Sequence, residues 1–325
     1  MGKPVVVVPC YARTAKEVTE LSLTVASALA SGAPHVVVVD DGSRWPAPLV
    51  PLHDDRVHSI RHTTNLGPAA ARNSGIRAAR ALAAELGRSP PSCFILLDSG
   101  CIADPPSSPG GPDGWYAAHI RHQAQQPGLW SGETFAAGNG SIDRYHDVMG
   151  TLMGPPLAVS PSDAPNADVA VEQDRTPGLT SSRVLLYAPT ANLSISADAW
   201  DAIGGFDEDF PTAAYEDVDF CLRAAALGYP TRQATGAIVR HRFDRDGTDA
   251  DRAHRPRLLG SHRLAAWREF AAAFWRYGRA EPLLTARHPD FLLQLGRSTA
   301  SRRMLGLDDG GAASEGDEVL GVPPE

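Results

Sequence analysis

Apolar residues occur in this chain in two rhythms. The unbroken runs Val5–Val8, Val36–Val39 and Phe94–Leu97 are short, and the first two are wholly β-branched. They predict strands buried on both faces, as in a parallel sheet. Between the first two runs, Thr14–Ser31 carries Val18, Leu21, Val25 and Leu29 at helical spacing and stops at Gly32,. The order strand, helix, strand implies parallel neighbours joined by a right-handed crossover. Val57–Ile60 reads as a third short strand. Beyond it, Pro68 suits the first turn of a helix whose alanines and Gly75 allow another backbone to approach closely,.

The second half is less regular. Asp104–Gly114, dense in Pro and Gly, is a loop; Trp115–Gln126 reads as a short amphipathic helix and Leu129–Ala136 as a strand. Gly154–Thr180 has little periodicity, and a loop of that length is either disordered or a functional lid. Val184–Ile195 is strand-like but broken at Pro189, and Ala197–Ile203 is a helix stopped by Gly204-Gly205. From Glu216 the spacing is helical again, with Val218, Leu222 and Ala225 toward the core and Gly228 at the end. Ala237–Val239 is a last strand, leaving His241 at its carboxyl end. After Asp249, apolar positions from Leu258 to Trp275 recur at near-helical spacing, and from about Asp308 the Gly-rich acidic chain reads as a disordered tail,.

Composition narrows the class. With 325 residues, 43% hydrophobic and 21% charged, the chain can bury a large core,. A net charge of −8 argues against nucleic acid held through phosphates,. No apolar run approaches the ~20 residues of a membrane helix, and no signal-peptide pattern precedes the first strand. Four scattered cysteines without a CxxC pair read as reduced thiols, so a cytoplasmic location is expected,. The Ala, Arg and Pro content has the character of a GC-rich bacterial genome.

Candidate chemistry gathers at strand ends. Asp40 and Asp41 close the second run before Gly42-Ser43, and ligands of open α/β sheets bind outside the carboxyl ends of strands. A carboxylate there can accept hydrogen bonds from a base or ribose, or can belong to an ordinary polar turn. Pro9, Tyr11 and Arg13 follow the first strand, and Asp98 follows the fourth. A helix N-terminus after Gly67 favours an anion, with Arg72 one turn in. Glu216, Asp217 and Asp219 open a helix, where acidic residues suit the dipole; for Asp219 that role is preferred.

Taken in order, Pro9-x-Tyr11, Asp40-Asp41-Gly42-Ser43, Asn65-x-Gly67 with Ala71-Arg72-Asn73, Asp98, Gly204-Gly205-Phe206-Asp207, Glu216-Asp217-x-Asp219 with Arg223, and His241 resemble the family 2 glycosyltransferases. The likeness runs from about Val5 to Phe243. It implies an α/β fold of GT-A type, with a Rossmann-like, mostly parallel sheet flanked by helices. The implied division is a GT-A domain over 1–245 (a nucleotide-binding half to about 115, an acceptor and catalytic half beyond), a mobile loop at 154–180, a helical extension over 246–307 and a tail over 308–325.

The resemblance also implies a chemistry: a hexosyltransferase moving a sugar from a nucleotide-sugar donor, a UDP-sugar for preference, to a small or soluble acceptor's hydroxyl or amine with inversion. Asp217 corresponds to the general base and Glu216 is its companion. Tyr11, Asp41 and Arg72 correspond to nucleotide contacts, with Pro9, Arg13, Gly67 and Asp98 in the same expected site. Asp98 is also the first aspartate of the family's Asp-x-Asp, and Asp98 and His241 are the implied ligands of Mg²⁺ or Mn²⁺. Gly100 replaces the second aspartate, which leaves three alternatives: a weakened metal site, a substitute acid such as Asp104, or no metal. The competing function is a catalytically inactive relative that binds nucleotide-sugar or a partner enzyme. A nucleotidyltransferase would need a basic Gly-rich loop after Val8, and none is present.

Overall fold

The computed structural model describes residues 2–44, 54–107, 113–138, 153–157, 183–210, 212–241 and 275–296. Its strands are β1 (Val5–Cys10), β2 (Val36–Asp40), β3 (Val57–Arg61), β4 (Cys93–Leu97), β5 (Cys101–Ala103), β6 (Leu129–Ala136), β7 (Val184–Leu185), β8 (Asn192–Ser196) and β9 (Thr231–His241). They form one sheet in the order β3-β2-β1-β4-β8-β6-β9-β5, with β7 also on β9. β3, β2, β1 and β4 are mutually parallel. β8 runs antiparallel between β4 and β6, and β9 is parallel to β6. Two reversals restore the direction, so β6 and β9 point the same way as β1, β2 and β4, and their carboxyl ends share one edge. The parallel character expected of the sheet therefore describes its first half, and the second half is mixed.

The helices are α1 (Ala15–Ala30), α2 (Pro68–Glu85), α3 (Trp115–Gln125), α4 (Ala197–Ile203), α5 (Glu216–Ala226), α6 (275–287) and α7 (Phe291–Gly296). Strand alternation divides them between two faces. Val5, Val7, Val37 and Val39 pack with α2, α4 and α5, while Val6, Val8, Val36 and Val38 pack with α1 and α3. Thr14 and Glu17 close a capping box at the start of α1,. The small residues of α2 serve a close approach. A Cβ on Gly75 would lie 2.3 Å from Val7 Cγ1 and 2.9 Å from Val39 Cγ2. A third cluster joins Leu186, Phe210, Ala214 and Val218 to Ala280, Leu284 and Phe291 of α6 and α7.

Several expectations change. β5 escaped notice because three residues carry no period, and the strand-like run over Val184–Ile195 divides into β7 and β8 on either side of Pro189. β9 begins at Thr231, six residues before its expected start. On α5, Ala224 is buried and Ala225 exposed, because the helix turns its Phe220–Cys221–Ala224 side to the sheet. Trp275 is 61% exposed, and the packed side of α6 carries Ala280 and Leu284 instead. Asp40 is fully buried, and Arg61 from β3 pairs with its Oδ2 while Ser43 N donates to Oδ1 at 2.8 Å. Of the loop expected over 154–180, residues 154–157 run beside β7, with Leu157 N donating to Val184 O at 3.0 Å. The rest of that loop and the tail over 308–325 lie outside the described residues. All four cysteines are buried free thiols. Among the described residues no helix is long and apolar enough to cross a membrane.

Candidate active site

The shared carboxyl edge opens into a groove of about 560 Å³, lined by Pro9, Tyr11, Asp41, Gly67, Arg72, Asp98 and His241 among others. Seven of the residues singled out in the sequence thus meet along one wall. Arg13 does not join them. It is exposed, and its Nη2 donates to Glu17 Oε1 at 3.1 Å on the outer turn of α1.

Asp41 is committed internally. Its Oδ1 pairs with His62 Nδ1 and accepts from Leu66 N, each at 2.8 Å, and its Oδ2 accepts from Gly67 N at 2.9 Å. His62 in turn meets Ser74 on α2 at 3.0 Å. The carboxylate therefore shapes the turn that feeds α2. Gly67 ends that turn with φ +94°, a left-handed backbone that disfavours a side chain although the space beside it is open,. At Gly42 the constraint is contact, since a Cβ would sit 2.4 Å from the Thr64 carbonyl carbon.

Arg72 is the hinge of the site. It is 4% exposed; Nη2 donates to Asp98 Oδ1 at 3.0 Å and Nη1 to Glu216 Oε1 at 2.8 Å. A guanidinium buried beside two carboxylates holds a fixed fork geometry. Each Nη donates to one acid, so Arg72 bridges the end of β4 to α5 while it also lines the groove. Arg72 Nε and Glu216 Oε2 are buried and have no hydrogen-bond partner among the described residues.

Beyond Arg72 and Asp98 the groove adjoins a smaller cavity of about 160 Å³, lined by Thr190, Tyr215, Glu216, Asp217 and Tyr277 among others. Tyr215 has φ +68°, the one non-glycine residue with positive φ among those described, and it stands directly before Glu216-Asp217. Such a conformation costs about 1–3 kcal/mol and aims the first turn of α5. Asp217 is half-buried, and its pKa is raised from 3.8 to about 7, by burial first and then by the charge of Glu216,. Arg72 and the hydrogen bond from Val218 N pull the other way.

Three further residues hold α5 in place. Asn73 exchanges two hydrogen bonds with the backbone of Phe206, both at 2.9 Å. Arg223 donates to Ile203 O at 3.1 Å and Gly205 O at 2.9 Å, and its Nε donates to Asp219 Oδ2 at 2.8 Å. Asp219 is fully buried and also meets His288 Nε2 at 2.9 Å. Its expected role at the helix dipole is thus overtaken by a clamp between α5 and the segment linking α6 to α7. Tyr277 and His288 were missed in the sequence, because nothing local relates them to an acid sixty or more residues earlier.

The residues present fit a divalent cation in part. Asp98, 31% exposed at its side chain, and His241 line the same groove and offer a carboxylate and an imidazole,. Among the described residues no group of three His, Cys, Asp or Glu forms a complete site, so diphosphate and water oxygens would fill the remaining positions. Gly100 has φ +98° with open space beside it, which makes it a backbone requirement. Asp104 lies 3.5 Å from Arg240 Nε and lines neither cavity, so it is not a substitute ligand here.

Comparison with known proteins bears on the family and the fold. The model "Glycosyl transferase family 2" matches residues 5–105, and "Glycosyl transferase family group 2" matches residues 168–280. The chain is a family 2 glycosyltransferase with a GT-A type fold. It is 26% identical over 264 residues to the pre-mycofactocin glycosyltransferase of two Mycobacterium tuberculosis strains, CDC 1551 / Oshkosh and ATCC 25618 / H37Rv. Those alignments cover 78% of this chain and 43% of each relative, so the chain spans less than half the length of the curated relatives it matches. A crystal structure of GalNAc-T7 with UDP, GalNAc and Mn²⁺ shares the fold, with a TM-score of 0.52 at 14% identity, covering 75% of this chain and 44% of that one.

Proposed function

We propose that this protein transfers a sugar from a nucleotide-sugar donor, a UDP-sugar for preference, to an acceptor hydroxyl or amine with inversion, and that Asp217 is the general base. The observation that carries the reading is the carboxylate of Asp217, with a pKa raised to about 7, facing a cavity that adjoins the groove at the sheet's carboxyl edge. A base with a pKa near the working pH balances availability against proton affinity.

The residues then divide the work. Tyr11, Pro9 and the turn held by Asp41 receive the nucleoside, and Asp98 lies at the diphosphate end. Asp98 and His241 would hold Mg²⁺ or Mn²⁺, which when bound supplies positive charge to the departing diphosphate. The acceptor oxygen attacks the anomeric carbon as its proton passes to Asp217. The bond to the diphosphate breaks on the opposite side, and the configuration inverts. Arg72 bridges Asp98 and Glu216, so the donor and acceptor ends share one buried cation. Gly100 supports a second reading, a relative that binds nucleotide-sugar without turning it over. Calorimetry of UDP, GDP, dTDP and CDP with and without Mn²⁺, followed by a donor-hydrolysis assay, separates the two. Binding with turnover supports the enzyme, binding without turnover supports the inactive relative, and no binding of any nucleotide removes both.

A further inference from the structure

Glu216 is 4% exposed and uses only one of its oxygens. Oε1 accepts from Arg72, while Oε2 is buried, lacks a partner among the described residues and belongs to a residue lining the cavity beside Asp217. A buried carboxylate oxygen left unpaired costs more than an ordinary lost hydrogen bond, because the group is charged. It is a ready acceptor for a donor brought in by a ligand. The cavity measures about 160 Å³, close to the ~150 Å³ that accommodates a single six-membered ring in an engineered cavity.

The opposite wall comes from the C-terminal helix. Tyr277, Ala280 and Leu284 follow one another at i, i+3 and i+7 and so share a face of α6. Ala280 and Leu284 are fully buried against Phe210, Ala214 and Val218, and the next position along that stripe, Tyr277, reaches the cavity. Its ring meets Tyr215 edge-on at 5.1 Å. The helix is held there from its far end, by His288 on Asp219 and by Arg287 on Asp207 and Asp209.

We propose that this cavity is the subsite for the terminal pyranose ring of a glycoside acceptor, in which Glu216 Oε2 accepts a hydroxyl neighbouring the nucleophile and Tyr277 packs against the ring face. The inference rests on the glycosyltransferase reading and adds the acceptor class to it. One carboxylate takes the proton of the attacking hydroxyl. The adjacent one fixes a second hydroxyl, which a ring with a single hydroxyl does not possess. Tyr277 acts as a specificity-determining residue through its aromatic face, not its hydroxyl.

The test uses the full chain with UDP and Mg²⁺. Methyl β-D-gluco-, galacto- and mannopyranoside are compared with cyclohexanol and 4-methylphenol by saturation-transfer NMR. At least one glycoside is expected to bind at millimolar concentration, and both single-hydroxyl rings to bind at least fivefold more weakly. E216Q keeps its amide oxygen toward Arg72 and turns a donor to the cavity, so glycoside affinity should fall at least fivefold. Y277L should lose a similar factor and Y277F should stay within twofold, with UDP affinity unchanged in both. Binding of UDP but of no glycoside by the wild type, equal binding of the single-hydroxyl rings, or unchanged glycoside affinity in both E216Q and Y277L overturns the proposal. Failure of every nucleotide to bind is the separate failure of the glycosyltransferase reading, and the acceptor assignment falls with it.

Discussion

Replacing Asp217 by Asn should slow the reaction and stabilise the fold at the same time. The side chain keeps its shape and can still accept from Val218 N, but it cannot take a proton or carry charge. A pKa raised from 3.8 to about 7 means that the folded state binds this proton more tightly than the unfolded state does. Stability is therefore full below pH 4 and is lost as pH rises from about 4 to 7. A rise of that size corresponds to at most about 4 kcal/mol. Asp217 is only half-buried and shares its charge repulsion with Glu216, so roughly half of that, ~2 kcal/mol, is a fair expectation. In a chain of 325 residues ~2 kcal/mol raises Tm by roughly 3 °C. D217N should melt higher than the wild type at pH 8, with the gap closing toward pH 4. Over the same range, wild-type kcat/KM should climb to a plateau above about pH 7, while D217N loses ~10²–10⁴-fold in kcat with donor affinity nearly intact. Calorimetric melting at three pH values and steady-state kinetics test both halves. A kcat loss below tenfold would remove Asp217 as the base, and an unchanged Tm gap between pH 4 and pH 8 would refute the origin assigned to its raised pKa.

Three other outcomes follow from the geometry. Asp41→Ala strips partners from Leu66 N, Gly67 N and His62, so it should destabilise by about 2–4 kcal/mol as well as weaken nucleotide binding; an unchanged Tm in thermal-shift measurements would show that the turn stands without it. Donor turnover should require Mn²⁺ or Mg²⁺ and stop in excess EDTA, and Gly100→Asp should not relieve that requirement, because a side chain at φ +98° costs ~1–2 kcal/mol; full activity in EDTA would discard the Asp98–His241 assignment. Asp219→Ala leaves Arg223 and His288 without their buried partner, so it should cost about 3–5 kcal/mol and raise hydrogen exchange across 275–296, whereas unchanged exchange there would mean that α6 and α7 are held by their apolar contacts alone.

What the sequence determined by itself was local. Four-residue Val runs can only be buried strands in a chain of this polarity, Thr14 with Glu17 caps a helix through its own neighbours, and Gly67-Pro68 marks a turn entering a helix. The ends of β1, β2 and β4, and hence the positions of Tyr11, Asp41 and Asp98, could be read from those signals. The ordered motifs singled out Asp217 and His241 only through a family resemblance. Tertiary structure decided what the charged groups do once they meet. Arg72 and Glu216 are 144 residues apart in the chain, and no periodicity could show that the arginine's fork would close on two acids. Asp219 is spaced like any acid in a first helical turn; only the arrival of His288, 69 residues later, makes it a clamp. Tyr277 acquires a place beside Asp217 because Ala280 and Leu284 dock their helix against α5. The reason is physical. Backbone propensity and capping act between near neighbours, whereas burial, ion pairing and a raised pKa depend on groups that only the packed fold brings within a few ångströms.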